Sequence, residues 1–273
     1  MKIAVNQWCF PDGTPLADVF AQCAAAGLDG VELNLDAAGG VGLTLETSAS
    51  AARAIRREAE AAGLELKSLS TGLLWSTPLS DPHPDVRARG QDVVRRQLEL
   101  AHEMEMDTIL VVPGVVNRDV SYEACYARSQ AAIAELVPVA ERLGVRIGIE
   151  NVWNKFLLSP LEMARYIDEF GSTYVGAYFD VGNVLAFGFP EQWIRTLGKR
   201  IIKVHVKDFK TQVGTIHGFV PLFAGDVDWP AVRTALAEVG YDDYVTAELV
   251  PYASDPAALI EDTARHLRRI FRI

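Results

Sequence analysis

Residues 175–208 read VGAYFDVGNVLAFGFPEQWIRTLGKRIIKVHVKD. Two short runs in this stretch, Val175–Asp180 and Ile201–Val206, are rich in β-branched and aromatic residues, and between them, at about 190–198, apolar positions recur at helical spacing. IIKVHV is an almost unbroken apolar run, which suits a parallel strand covered on both faces. The stretch is one strand–helix–strand unit, and the alternation continues outward from it. Further strands are expected at Ile3–Trp8, Val31–Leu35, Glu65–Ser70, Thr108–Val112, Arg146–Asn151 and Tyr244–Leu249. Helical patterns fall at about 15–26, 47–62, 84–105, 122–143, 159–170, 229–239 and 256–271. Eight strands and eight helices in strict order, with no linker or shift of composition, predict a single α/β domain over residues 1–273, a (β/α)8 TIM barrel. A doubly wound open sheet is the alternative, but the turn after the first strand, FPDGTPL (10–16), lacks the glycine fingerprint of a dinucleotide site.

The boundaries carry physical punctuation. Gly27, Gly63, Gly144 and Gly240 each follow a helical run and precede a strand, as expected where a residue after the helix takes positive φ. Ser159-Pro160 and Asp228-Trp229-Pro230 read as helix caps leading into prolines of the first turn.

Composition narrows the function classes. With 49% apolar and 23% charged residues, the chain has the makeup of a folded globular protein. Its 26 Lys and Arg against 36 Asp and Glu give a net charge of −10, which opposes a grip on nucleic acid or an anionic membrane surface. A small phosphorylated ligand stays compatible, because a net charge says nothing of one pocket. Cys9, Cys23 and Cys125 form no CxxC pair, so neither a disulfide framework nor a thiolate zinc site is expected. The N-terminal MKIAVNQWCF has no signal-like apolar core, and no apolar stretch approaches the ~20 residues of a membrane span, so a cytoplasmic protein is expected.

In such a barrel the site lies at the C-terminal ends of the strands. The fifth strand ends in Glu150-Asn151, the sixth in Asp180, the seventh in His205 followed by Lys207-Asp208, and the eighth reaches Glu248. Each has a plainer reading alone: Asp180 in an Asx turn, His205 as a satisfied core histidine, Glu150 as an exposed strand terminus. Four such residues on four successive strand ends are not coincidence. Three carboxylates and an imidazole at one rim repel or go unpaired unless a divalent cation lies among them. One divalent metal ion held by Glu150, Asp180, His205 and Glu248 is therefore expected. Oxygen-rich ligation with one nitrogen suits Mn²⁺ first, with Mg²⁺ or Co²⁺ as alternatives, better than structural zinc.

Other residues are placed around this group as substrate contacts. Trp8, Trp75 and Trp153 lie just past strand ends, where rings can stack on a sugar's C–H face or simply pack the barrel top. Lys207 follows His205 by two and faces the same way, to polarise substrate oxygens, hold a phosphate, or pair with Asp208. His217 lies in the long segment Lys207–Asp228, which together with Thr71–Pro84 is a lid candidate. His83, His102 and His266 read as surface or packing residues.

At IGIEN around Glu150, YFDVGN around Asp180, KVHVKDF around His205, TAEL around Glu248 and GDVDWPAV (225–232), the chain resembles the xylose-isomerase-like (β/α)8 superfamily of sugar-phosphate isomerases and epimerases. The resemblance covers essentially the whole chain. It implies that Glu150, Asp180, His205 and Glu248 bind one divalent metal and that Glu150 and Glu248 are the catalytic acid and base of a ketose 3-epimerase. It also implies a small-molecule sugar or sugar phosphate as partner, and a homodimer or homotetramer. Many ketose 3-epimerases have histidine three residues after the aspartate, where this chain has Asn183, here placed among the substrate contacts. The FDVGN and HVKD pieces look more like the pentulose-phosphate 3-epimerase branch. The chemistry expected is C3 epimerisation through an enediolate, with a Lewis-acidic cation making the C–H acidic enough and two carboxylates working on opposite faces. Aldose–ketose isomerisation, loss of water from a keto-polyol, and a non-catalytic carbohydrate-binding barrel are the alternatives.

Overall fold

The structure, a computed structural model, describes residues 1–272. Eight parallel strands close into a barrel: β1 (Lys2–Asn6), β2 (Gly30–Asn34), β3 (Ser68–Ser70), β4 (Thr108–Val111), β5 (Arg146–Glu150), β6 (Val175–Asp180), β7 (Ile201–Val206) and β8 (Tyr244–Ala247). Closure is made by β1, which pairs with β2 on one side and β8 on the other, Val5 opposite both Val31 and Ala247. Around it lie α1 (Leu16–Ala25), α2 (Ala49–Ala61), α3 (Pro84–Glu103), α4 (Tyr122–Ala134), α5 (Val137–Leu143), α6 (Pro160–Asp168), α7 (Pro190–Leu197), α8 (Trp229–Glu238) and α9 (Pro256–Phe271). The expected (β/α)8 architecture is the one found. No helix among the described residues is long and apolar enough to cross a membrane.

The differences have local causes. The single helix expected over 122–143 is two, α4 and α5, because Pro138 cannot donate to the carbonyl of Ala134 and its ring crowds that turn. The first strand stops at Asn6, whose side chain accepts from Trp8 N at 2.7 Å and starts a single 3₁₀ turn, Gln7–Cys9; Trp8 sits on that turn, not on a strand. Of the third strand only Ser68–Ser70 is regular, with one isolated bridge from Glu65 to Gly30. The four glycines after helices take φ of 71°, 78°, 69° and 76° at Gly27, Gly63, Gly144 and Gly240, as their place in the sequence requires. Asp228 caps α8 by accepting from Ala231 N at 2.9 Å, whereas Ser159 makes no side-chain cap.

The helix-facing layer is apolar and continuous, from Val19 and Phe20 through Leu98 and Ile133 to Leu236 and Leu267. The barrel interior is not. Asn6, Glu32, Ser68, Ser70, Tyr178 and His205, all essentially without solvent access, fill its upper half with one hydrogen-bonded polar network. At the opposite end Lys203 is buried and pairs with Asp107 at 2.9 Å and with Asp243. One glycine makes the network possible. A Cβ on Gly148 would lie 2.9 Å from the ring of Tyr178, so its absence lets that ring cross the barrel to Glu32.

Candidate metal centre

The last residue of β5, the last of β6, the fifth of β7 and the first residue beyond β8 meet at the C-terminal mouth. These are Glu150, Asp180, His205 and Glu248, and one donor atom from each lies within 4.8 Å of all the others. Register does this: Glu150 is opposite Tyr178, and Asp180 is opposite His205, which is opposite Thr246. Glu248 is fixed from both flanks. Its own N–H donates to the Val206 carbonyl at 3.2 Å, and the Cys9 thiol donates to Ala247 O and accepts from Leu249 N, each at 3.3 Å.

His205 Nε2 lies 2.6 Å from Glu32 Oε1, which makes Nε2 the protonated nitrogen and turns Nδ1 toward the carboxylates, 3.1 Å from Glu248 and 3.8 Å from Glu150. Glu32 is held in turn by Asn6 Nδ2 at 2.6 Å, Ser70 Oγ at 2.7 Å, Ser68 Oγ at 2.5 Å and the Tyr178 hydroxyl. Asp180 Oδ1 accepts from Asn183 N at 2.7 Å, while the Asn151 amide ties the Asp180 backbone through both its N–H and its C=O, each at 2.8 Å. Two buried atoms aimed into the cluster, His205 Nδ1 and Asp180 Oδ2, make no well-formed hydrogen bond and have only a charged side chain beside them, Glu248 for the imidazole and Lys207 for the carboxylate. Buried polar atoms are rarely left so. Three carboxylates and an imidazole nitrogen are a fit for one hard or borderline divalent cation.

Lys207 is the cation already there. Its Nζ lies 2.9 Å from Glu248 Oε2 and 3.1 Å from Asp180 Oδ2, so its partners are these two and not Asp208. Its stem passes where Gly182 has no side chain: a Cβ there would be 2.6 Å from the Lys207 carbonyl oxygen. The charges set the protonation of the metal-free protein. Burial lifts the Glu150 carboxyl to about 7, with the Glu248 charge adding to it. Burial alone would lift Glu248 too, but the Lys207 ammonium and His205 outweigh it and hold that carboxyl well below the usual range. Burial would lower His205, yet the Glu32 charge and the nearby Glu150 and Glu248 carboxylates raise it well above an ordinary imidazole. Burial would likewise raise Glu32, but the facing imidazole and its hydroxyl donors bring it down to about 2.

A cavity of about 1030 Å³ opens above the cluster. Trp8, Trp75, Trp153, Asn183, Lys207 and His217 all line it, so the residues expected as substrate contacts are brought together. Their surroundings differ. Trp75 is 46% exposed at the mouth, and His217 is exposed on a 3₁₀ turn, Ile216–Gly218. Trp153 is fixed by donating to Asn183 O at 2.9 Å and by packing edge-on to Phe209. The Asn183 amide donates to the Asn151 carbonyl at 3.0 Å. The Thr71–Pro84 segment holds a 3₁₀ turn, Leu73–Trp75, and the longer Lys207–Asp228 segment is pinned at its base. There Asp208 accepts from Phe209 N, Phe223 N, Val227 N and the Trp229 indole, at 2.9–3.2 Å.

Sequence reasoning missed Glu32, Asn6, Ser68, Ser70 and Tyr178, which support His205 and the candidate ligands from within the barrel. The signal was present in Glu32-Leu33-Asn34, two polar residues at strand period inside an otherwise apolar run, and in Asn6 on the adjoining strand.

The family model described as "Xylose isomerase-like TIM barrel" matches residues 20–270. The chain is 26% identical over 184 residues to an uncharacterized protein of Methanocaldococcus jannaschii, covering 63% of this chain but only 62% of that protein. It is 25% identical over 260 residues to the L-ribulose-5-phosphate 3-epimerase UlaE of Escherichia coli O1:K1, covering 94% of this chain and 90% of the relative. The crystal structure of D-psicose 3-epimerase in the presence of D-fructose superposes with a TM-score of 0.82 at 20% identity, covering 99% of both chains. On the fold, the ordered ligand set and the extent of the family match, this chain belongs to the xylose isomerase-like TIM barrel family.

Proposed function

We propose that the protein is a divalent-metal-dependent epimerase of keto-sugars, inverting the hydroxyl-bearing carbon beside the ketone, C3 in a 2-ketose. The chain is an enzyme of sugar or sugar-phosphate chemistry, in keeping with the epimerase names of its relatives. The observation that carries the mechanism is the meeting of Glu150 and Glu248 with His205 Nδ1 and Asp180 Oδ2, which make no well-formed hydrogen bond, on one cavity floor. A divalent cation held by these four residues, Mn²⁺ in our reading, supplies Lewis acidity toward the substrate oxygens.

The proton transfers belong to the chain. One glutamate takes the proton from the carbon beside the ketone, and the electron pair passes onto the ketone oxygen. The other glutamate, as acid, gives a proton to the opposite face of that carbon, so the formula is unchanged and one centre is inverted. Lys207 keeps Glu248 ionised between turnovers, Glu32 fixes the imidazole, and the tryptophan walls exclude water.

The test is proton exchange followed by NMR, with Mn²⁺-loaded protein in D₂O and a panel of keto-sugars. Deuterium at the carbon beside the ketone, together with the epimer, is the expected result, lost by about 10²–10⁴-fold in Glu248→Gln and in Glu150→Gln. An aldose product carrying deuterium at C1 or C2 would replace this reading with isomerisation.

A further inference from the structure

We infer that the substrate is an uncharged keto-sugar carrying an apolar, ring-containing substituent, as in a glycoside whose ketone lies within the sugar ring, and not a ketose phosphate. The inference rests on the epimerase reading and narrows its substrate. It begins with size. A cavity of about 1030 Å³ stands at the top of the range that accommodates drug-sized ligands, well beyond what one five- or six-carbon sugar fills.

Charge is the second ground. Lys207 is already shared by Asp180 and Glu248, and His217, exposed at the mouth, is the other basic side chain of the lining, which contains no arginine among the described residues. Three carboxylates are matched by Lys207 and a divalent cation together, and Glu32 beneath adds a further negative charge. No positive charge is left over for a phosphate dianion, which would enter unpaired.

The third ground is the wall. Thr71 Oγ1 already donates to the Leu35 carbonyl at 2.7 Å and accepts from Leu73 N at 3.1 Å, and the Asn183 amide is bonded to Asn151. Hydroxyls set against this part of the wall, above the carboxylate floor, would lose their hydrogen bonds to water and regain few. Above the floor the lining is apolar instead. Trp75, Ile216 and Val250, from the loops after β3, β7 and β8, are 46%, 65% and 78% exposed and face one cavity, with Phe219 and Pro221 below them. Apolar side chains left open around a reaction cavity are matched by an apolar ligand surface. The polar end of the ligand, the hydroxy-ketone, belongs at the carboxylate floor and the substituent at this rim.

The test has a binding arm and a turnover arm. Quenching of tryptophan fluorescence by the unreactive methyl and phenyl β-glucosides reads affinity without turnover. Exchange in D₂O by the Mn²⁺-loaded protein reads kcat/KM for the methyl and phenyl 3-keto-β-glucosides, for ribulose and for ribulose 5-phosphate. In both arms the phenyl compound is expected to exceed the methyl one by about tenfold or more, the scale of burying one aromatic ring. Combining Ile216→Ser with Val250→Ser is expected to bring that ratio toward one. Equal values for phenyl and methyl, or faster exchange with ribulose 5-phosphate than with any uncharged compound, would overturn the inference while leaving the epimerase reading intact. Absence of exchange from every compound, with Mn²⁺ bound, would overturn both.

Discussion

Replacing Glu32 by glutamine removes one charge from beneath the metal centre and almost nothing else. Glu32 Oε1 accepts from His205 Nε2, Asn6 Nδ2 and Ser70 Oγ at 2.6–2.7 Å, and an amide oxygen can keep all three. Its Oε2 accepts from Ser68 and Tyr178, whose hydroxyls can turn to accept from the new amide N–H. Leucine in its place would take the acceptor from five buried donors, of which only Asn6 and Tyr178 have another, at about 1–3 kcal/mol for each one orphaned, so a loss of binding could not be told from a loss of fold. With glutamine the loss is in the imidazole, which no longer faces an anion and becomes the weaker ligand. Partners of this kind typically contribute 10–100-fold to metal affinity, or about 1.4–2.7 kcal/mol. A second effect opposes it. Glu32 also raises the proton affinity of His205, and a proton competes with the metal, so the substitution eases that competition at low pH. The two separate in a titration of Mn²⁺ against pH. The limiting affinity at high pH is expected to fall 10–100-fold, while the dependence on pH becomes shallower. A limiting affinity equal to that of the parent protein, at an unchanged melting temperature, would refute the role assigned to Glu32.

Other consequences are as direct. Because burial keeps a proton on Glu150 up to about 7 and carboxylates keep one on His205, metal binding near neutrality must expel protons. Affinity should therefore rise with pH through about 7, and calorimetry in buffers of different ionisation enthalpy should show proton release. Cys9→Ala removes both hydrogen bonds that flank Glu248, and kcat is expected to drop with little change in KM, whereas Cys9→Ser restores it. The Cys9 thiol itself, pushed up to about 12 by burial, should resist alkylation in the native protein, and rapid labelling would contradict its placement. Gly182→Ala would press a methyl group against the Lys207 carbonyl, costing about 1–3 kcal/mol of stability in chemical denaturation and lowering activity beyond that loss.

The four candidate ligands were legible because each interrupts an apolar run at the end of a strand, where a barrel gathers its chemistry. Lys207 was legible in its direction but not in its partners. Proximity in sequence offered Asp208 as one partner, but it turns to the backbone of the following loop, while the fold supplies Asp180 and Glu248 from adjoining strands. The polar interior was hidden by its own regularity. Ser68, Ser70 and Tyr178 read as ordinary strand residues, and only closure of the ring shows that they share a side with Glu32. The break between α4 and α5 could have been foreseen from Pro138, which the apolar periodicity on both sides of it masked.

The four candidate ligands come from β5, β6, β7 and the residue after β8, and the polar residues beneath His205 come from β1–β3 together with Tyr178. The bond from Glu32 to His205 therefore joins positions 173 apart in the chain. Neither half of the barrel holds a finished centre. Closing so long a span costs entropy that the pairings of the strands between help to repay. A fragment lacking the first three strands would keep all four candidate donors but not the residues beneath His205, and is expected to bind a divalent cation more weakly than the whole chain. If a cation binds the four donors, its presence at a hundred times its dissociation constant would favour the closed ring by about 2.7 kcal/mol.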